Sequence, residues 1–173
     1  KDSFKQSKIT SIFFNNDSAL EKIEAEAFVE SSIRSISIPP TVTYIGEKAF
    51  YNCGNLEYIT FPSDSKLQII GSQAFSKTSI ESFTIPSKLI KLNENWCKDA
   101  LQLKEVNVHP ENICFKLYDG KIVIGKSSID ADNFDQLIFA YRNIEKVTIP
   151  NFIKQICSDS FYNCKKLHQI EFS

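Results

Sequence analysis

The stretch Ile33-Arg-Ser-Ile-Ser-Ile-Pro-Pro-Thr-Val-Thr-Tyr-Ile-Gly-Glu-Lys-Ala-Phe-Tyr-Asn-Cys53 holds two hydrophobic phrases of different spacing. In the first, Ile33, Ile36 and Ile38 lead to Pro39, and the alternation around Ser37 buries one face of a short strand. Proline lacks a backbone donor and closes that strand. In the second, Val42, Ile45 and Gly46 precede the pair Ala49-Phe50. The small residue before the ring permits a tight turn or a short helical piece, while the ring itself fills the interior.

Both phrases recur in either direction from this stretch. The first reappears at Ile9-Ile12-Phe14, Leu56-Ile59-Phe61-Pro62, Ile80-Phe83-Ile85-Pro86, Leu103-Val106-Val108, Ile144-Val147-Ile149-Pro150 and Leu167-Ile170-Phe172. The starts are 24, 23, 24, 23, 41 and 23 residues apart, and five such intervals within one residue of each other mark an internal repeat. The second reappears at Leu20-Ile23 with Ala27-Phe28, Leu67-Ile70-Gly71 with Ala74-Phe75, Leu89-Leu92 with Trp96-Cys97, and Ile153-Ile156 with Ser160-Phe161. Tyr51-Asn52-Cys53 returns as Tyr162-Asn163-Cys164.

Each unit sends roughly six apolar side chains inward, and full burial of each is worth about 1.5–3 kcal/mol. One coil cannot shield that face, but stacked neighbours can. The pattern therefore predicts a β-dominated repeat solenoid with short helical turns, one domain over residues 1–173. A chain that starts and stops inside its repeat is expected to be a fragment of something longer.

The unit, apolar-x-x-Ile-x-Ile-Pro followed by Val-x-x-Ile-Gly-x-x-Ala-Phe and a Cys, resembles the BspA-like (Treponema pallidum-type) leucine-rich repeat over essentially the whole chain. The Tyr-Asn-Cys tail and the segment Leu137–Pro150 are most similar to protist, trichomonad-type surface members. The resemblance implies a right-handed superhelix with a parallel sheet on its concave side. It also implies a cell-surface or secreted protein that adheres to host or neighbouring cells by binding protein or glycan, the host-cell surface and extracellular matrix among them. A structural spacer in a longer repeat array, with no partner of its own, is the alternative expectation.

One interval is too long by about eighteen residues, and it places an insertion at 109–143. Asp119-Gly120 is a turn signal before the apolar run Lys121-Ile-Val-Ile124, and the polar stretch Gly125–Gln136 leads to Leu137-Ile-Phe-Ala140. The two runs read as a hairpin-like pair of strands joined by a long loop. Such loops carry binding or are simply tolerated, and removal of residues 126–135 is expected to leave folding intact.

Chemistry is weakly signalled. A net charge of -1 and a pI near 6.2 argue against a nucleic-acid partner. No apolar run is long enough for this stretch to insert in a membrane. Cys53 and Cys164 share a repeat position several coils apart, beyond disulfide reach; Cys97 stands where other units carry the aromatic and Cys157 where they carry the turn glycine. These read as buried free thiols, and Cys114 has no place in the pattern. Without a Cys-x-x-Cys pair no metal site is expected. His109 and His168 lie in different coils without a recurring acid or nucleophile, so neither catalysis nor a cofactor is expected. Asn16-Asp17-Ser18 is a glycosylation sequon.

Residues that alternate with the inward apolar ones point to the other side of each strand. Read along the stack, they give a candidate binding face of Phe13, Ser35, Ser37, Tyr58, Thr60, Ser82, Thr84, Glu105, Asn107, Lys146 and Thr148, next to Ser11, Gln169 and Glu171. Phe13 and Tyr58 are the expected anchors, because aromatics are enriched at interface hot spots. The repeat begins at Ile9 and finishes at Phe172 without a visible cap, so end-to-end self-association is a further expectation.

Overall fold

Two ladders of very short strands alternate along the chain in the computed structural model, which describes residues 1–15 and 17–173. The strands are β1 (Lys22–Ile23), β2 (Ser35–Ser37), β3 (Tyr44–Ile45), β4 (Tyr58–Thr60), β5 (Ile69–Ile70), β6 (Ser82–Ile85) and β7 (Lys91–Leu92). They continue with β8 (Glu105–Val108), β9 (Phe115–Tyr118), β10 (Ile122–Gly125), β11 (Gln136–Ala140), β12 (Lys146–Ile149), β13 (Gln155–Ile156) and β14 (Gln169–Phe172). The alternating phrase forms the first ladder, in which β2 pairs β4, β6 pairs β8 and β12 pairs β14, all parallel. The second phrase forms the second ladder, β1-β3-β5-β7. The result is a β-solenoid of about seven coils with parallel sheets, in agreement with the repeat. Below, a coil carries the number of its first-ladder stretch, so that β2 belongs to coil 2, β6 and β7 to coil 4, and β12 to coil 6.

The corner after the second strand is built of turns, and no helix occurs among the described residues. Positive φ recurs with a four-residue step at Glu26 and Glu30, Lys48 and Asn52, Gln73 and Lys77, Asn95 and Asp99, and Asp159 and Asn163. This alternation aims every second amide at the following coil. Glu26, Phe28 and Glu30 donate to the carbonyls of Glu47, Ala49 and Tyr51, and Lys48, Phe50 and Asn52 to those of Ser72, Ala74 and Ser76, all within 2.8–2.9 Å. The rings carried by these corners stack: Phe4, Phe28, Phe50 and Phe75 have centroids 4.9, 5.0 and 5.3 Å apart and planes within 9°. Phe4 belongs to a half coil, with positive φ at Asp2 and Gln6, that precedes the first repeat read from the sequence.

Gly46 and Gly71 sit where one coil presses on the last. A Cβ at Gly46 would meet the Ala25 nitrogen at 2.4 Å, and one at Gly71 the Glu47 nitrogen at 2.5 Å. The core between the ladders is continuous from Ile23 to Phe139, and a second cluster around Ile124, Leu137 and Val147 serves the last coils. In the final coil Ile170 and Phe172 are exposed, whereas their counterparts Ile36 and Ile38 are buried.

The insertion departs from the repeat in coil 5. β10 and β11 pair antiparallel, as the two apolar runs suggested. A third strand, β9, which the sequence reading lacked, pairs with β10 across the Asp119-Gly120 turn. β11 also takes the second-ladder place of coil 5, paired in parallel with β13. Asn112 anchors the departure point. Its Nδ2 donates to the carbonyls of Pro86 and Leu89 at 2.7 and 2.9 Å, and its Oδ1 accepts from the amides of Cys114 and Phe115 at 2.8 Å. Cys114 is thereby set in the core.

Candidate functional site

The outward face of the first ladder is where the repeat leaves side chains free. Because β2 and β4 run in register, Ser35 lies beside Tyr58 and Ser37 beside Thr60, and a bridge from Ser11 to Ser35 extends the row into coil 1. In β6 and β8, Ser82 lies beside Glu105 and Thr84 beside Asn107. All of these are exposed except Asn107, which is half-buried and accepts the Tyr141 hydroxyl at 3.1 Å. Burial pushes the Tyr141 phenol up, with the Glu105 carboxylate adding to it.

Phe13 and Tyr58 are the large apolar groups of this face, 91% and 65% exposed. Around them lie hydroxyls, and Glu105 is the one charged member of the Ser11–Asn107 set. The patch can therefore offer hydrogen bonds and two ring faces, and it offers no charge to a phosphate backbone.

Lys146 and Thr148 do not join that row. They pair with Gln169 and Glu171 in β12 and β14 and form a second patch. The hairpin turn intervenes, with Lys121 beside Lys146 and Val147, and Tyr118 and Asp119 beside Thr148. The sequence gap between Val108 and Ile144 was the available signal for this split.

The remaining candidates stay apart. His109 accepts the Glu111 amide through Nδ1 at 3.3 Å, and His168 approaches the Lys166 carbonyl. All five cysteines are free. The Cys53 thiol donates to the Phe28 carbonyl at 2.9 Å, and burial pushes it up. Cys97 holds the corner register of Phe75, whose amide bonds to the residue before it, Trp96; the indole at 96 provides the ring instead, 4.8 Å from Phe83. Burial raises the Cys97 thiol to about 12. Among the described residues no three His, Cys, Asp or Glu side chains are placed to hold a metal ion. Among the described residues no helix is long and apolar enough to cross a membrane. The sequon residue Asn16 lies outside the described residues.

Comparison with known proteins follows the same boundaries. The BspA type leucine rich repeat region matches residues 1–118 and 132–173 in six copies, leaving only part of the insertion unmatched. The pneumococcal vaccine antigen PcpA is similar at 32% identity and a TM-score of 0.87 over 98% of this chain. Leucine-rich repeat proteins of Eubacterium ventriosum (15% identity, TM-score 0.63, 87% of this chain) and Bacteroides ovatus (18%, 0.64, 95%) share the fold. The chain spans 41%, 47% and 49% of those three proteins. No curated protein matches it.

Proposed function

Because the chain belongs to the BspA type leucine-rich repeat family, we propose that it is a recognition module of a cell-surface or secreted protein, adhesive to host or neighbouring cells. It binds a protein or glycan through the first-ladder face. The observation that carries this reading is the two runs of short polar side chains held in register, from Ser11 to Thr60 and from Ser82 to Asn107, with Phe13 and Tyr58 standing out of the first. Ordered strands fix these groups before a partner arrives, so little conformational entropy is lost on binding. The likeness to a vaccine antigen of the pneumococcus supports a location at the cell surface or outside it. The second patch, Lys146 and Thr148, adds a separate contact in the same direction, and repeated weak contacts give avidity.

The test is binding of the purified monomeric chain to extracellular-matrix proteins, mucins and intact epithelial cells. Saturable binding that weakens about tenfold or more in the double variant Phe13→Ala/Tyr58→Ala is the expected result. Unchanged binding in that variant removes the first-ladder face from the reading. No binding at all, with the fold intact, turns the chain into a spacer within a longer array.

A further inference from the structure

Along the second ladder and its corners, coils 1 to 3 direct nearly every forward-facing backbone group to the next coil, the Gln73 amide being the exception. In the second ladder the carbonyl of Ile23 accepts from Gly46, that of Ile45 from Gly71, and that of Ile70 from Asn93, at 2.7, 2.8 and 3.0 Å. Coil 4 ends this series. The carbonyls of Ile90 and Leu92 accept nothing from any described residue, because β11 directs its antiparallel pairing to β10 and meets β13 on its other side. At the corner the amides of Asn95 and Cys97, which correspond to Lys48 and Phe50, have no acceptor either.

These four groups line an opening. Its deep end lies between the corners of coils 4 and 6, with Asn93, Glu94 and Asn95 on one wall and Gln155, Cys157 and Asp159 on the other. One carboxylate oxygen of Asp159 is buried there without a partner. Outward the opening widens into a trough between the second ladder and the insertion loop, floored by Leu92, Ile138 and Phe115 and walled by Ser127, Ser128 and Ile129. Ile129 is among the exposed large hydrophobics.

We propose that this trough is a docking site for an extended polypeptide segment of a partner protein, which pairs main chain to main chain with coil 4. The free carbonyls are two residues apart and so are the free amides, and an extended strand presents its own N–H and C=O groups to one side at that interval. Sugar hydroxyls have no such period, so the spacing favours a peptide over a glycan. Strand addition draws its affinity from main-chain bonds and its specificity from side-chain pockets. Here the pockets are the apolar floor for one side chain and the acidic deep end, bordered by Glu94 and Asp159, for a donor-bearing one. The site is separate from the first-ladder face and does not depend on it.

A linear random peptide library displayed on phage and panned against the chain supplies the probe. The selected peptide is then N-methylated one residue at a time. Methylation is expected to weaken binding about tenfold or more at alternate residues and to be tolerated between them. Ile138→Arg and Ile129→Asp are each expected to weaken binding by about the same factor, with the fold checked by thermal melting. The exposed loop position of Ile129 keeps the test valid where Ile138→Arg does not fold. Peptide should also slow hydrogen exchange at the Asn95 and Cys97 amides, and Phe13→Ala/Tyr58→Ala should leave its affinity unchanged. A flat N-methyl scan, no selected peptide, or binding indifferent to Ile129→Asp overturns the proposal. Peptide binding lost only in the Phe13/Tyr58 variant overturns it too, and supports the first-ladder face instead.

Discussion

The guanidinium of Arg142 lies 4.0 Å from the ring centroid of Phe139. From there it donates to the carbonyls of Ser160 at 2.8 Å and Asp159 at 3.4 Å. In regular coils, amides of the preceding corner occupy this place. Coil 5 has no such corner, since β11 runs straight through it; only the Ala140 amide reaches the Ser160 carbonyl, at 2.9 Å, and the Arg142 side chain supplements it. Hydrogen bonds from charged donors are worth about 1.5–3 kcal/mol each, and the ring contact adds about 0.5–2 kcal/mol. Arg142→Ala should therefore lower the unfolding free energy by about 2–3 kcal/mol in urea titration. Arg142→Lys keeps the charge without the planar fork and should recover less than half of it. A loss below about 0.5 kcal/mol for the alanine variant would be that of an ordinary surface residue and would contradict the role.

The glycines separate contact from conformation. A methyl group at Gly46 or Gly71 would press on main-chain atoms of the preceding coil, which cannot step aside as a flexible side chain could. Gly46→Ala and Gly71→Ala should each destabilise by about 2 kcal/mol or more. At Gly54 a Cβ would meet nothing within 4 Å, so Gly54→Ala should be neutral or slightly stabilising, by up to about 1 kcal/mol. Thermal melts of the three variants check the order; equal effects would show that the close approach is not what selects glycine.

The Cys97 thiol gives a pH dependence. Burial raises it from the ordinary value of 9.0 to about 12, so the folded state favours the protonated form. Its contribution is fully present below pH 9.0, where both states hold the proton, and is lost as pH rises from 9.0 towards about 12. Stability should fall through this alkaline window, and Cys97→Ala should flatten the slope. In the folded chain at pH 8, iodoacetamide should leave Cys97 unmodified, as read by mass spectrometry of peptides. Rapid alkylation there would mean an accessible thiolate.

The long loop can be shortened, within limits that only the structure shows. Asp135 accepts from the Ser127 amide and hydroxyl at 2.8 Å, and its own carbonyl accepts from the Lys154 and Gln155 amides. The Lys126 amide donates to the Cys114 carbonyl. Deleting 126–135, which the polar composition made look harmless, removes these anchors of coil 6 and should lower the melting temperature. Replacing residues 128–133 by two glycines keeps them, and loop closure changes only slowly with length, so its melting temperature should stay close to that of the intact chain.

How legible the molecule was in its sequence depended on whether a residue's role was set by the repeat. Ile36, Ile45, Ala49 and Phe50 were readable because the same steric environment returns every coil. The outward direction of Ser35, Tyr58 and Thr84 followed from strand alternation alone. Phe4 was missed because its half coil lacks a strand phrase to announce it. β9 was missed because Phe115–Tyr118 pairs only with an equally irregular neighbour, and Asn112 because its partners Pro86 and Leu89 belong to the coil before. The Ile90 and Leu92 carbonyls and the Asn95 and Cys97 amides left no trace in the sequence, since an idle backbone group is a property of what fails to arrive beside it. The division of the first-ladder face was half visible: the long interval marked its place, and only the hairpin turn between Asn107 and Lys146 showed its effect.

The turn corners have an electrical consequence. Those of coils 1 and 2 contribute three inter-coil bonds each and that of coil 3 two, all running the same way, amide forward and carbonyl back, so their peptide dipoles add along the solenoid axis instead of cancelling as they do in a sheet. The corner column is thus polar from end to end, positive towards the later coils and negative towards the earlier ones. Coil 5 cuts it into two shorter columns, and each cut end meets a charge of the stabilising sign. The cation of Arg142 caps the carbonyl end at Ser160, and Glu94 borders the opening at the amide end, beside Asn95 and Cys97.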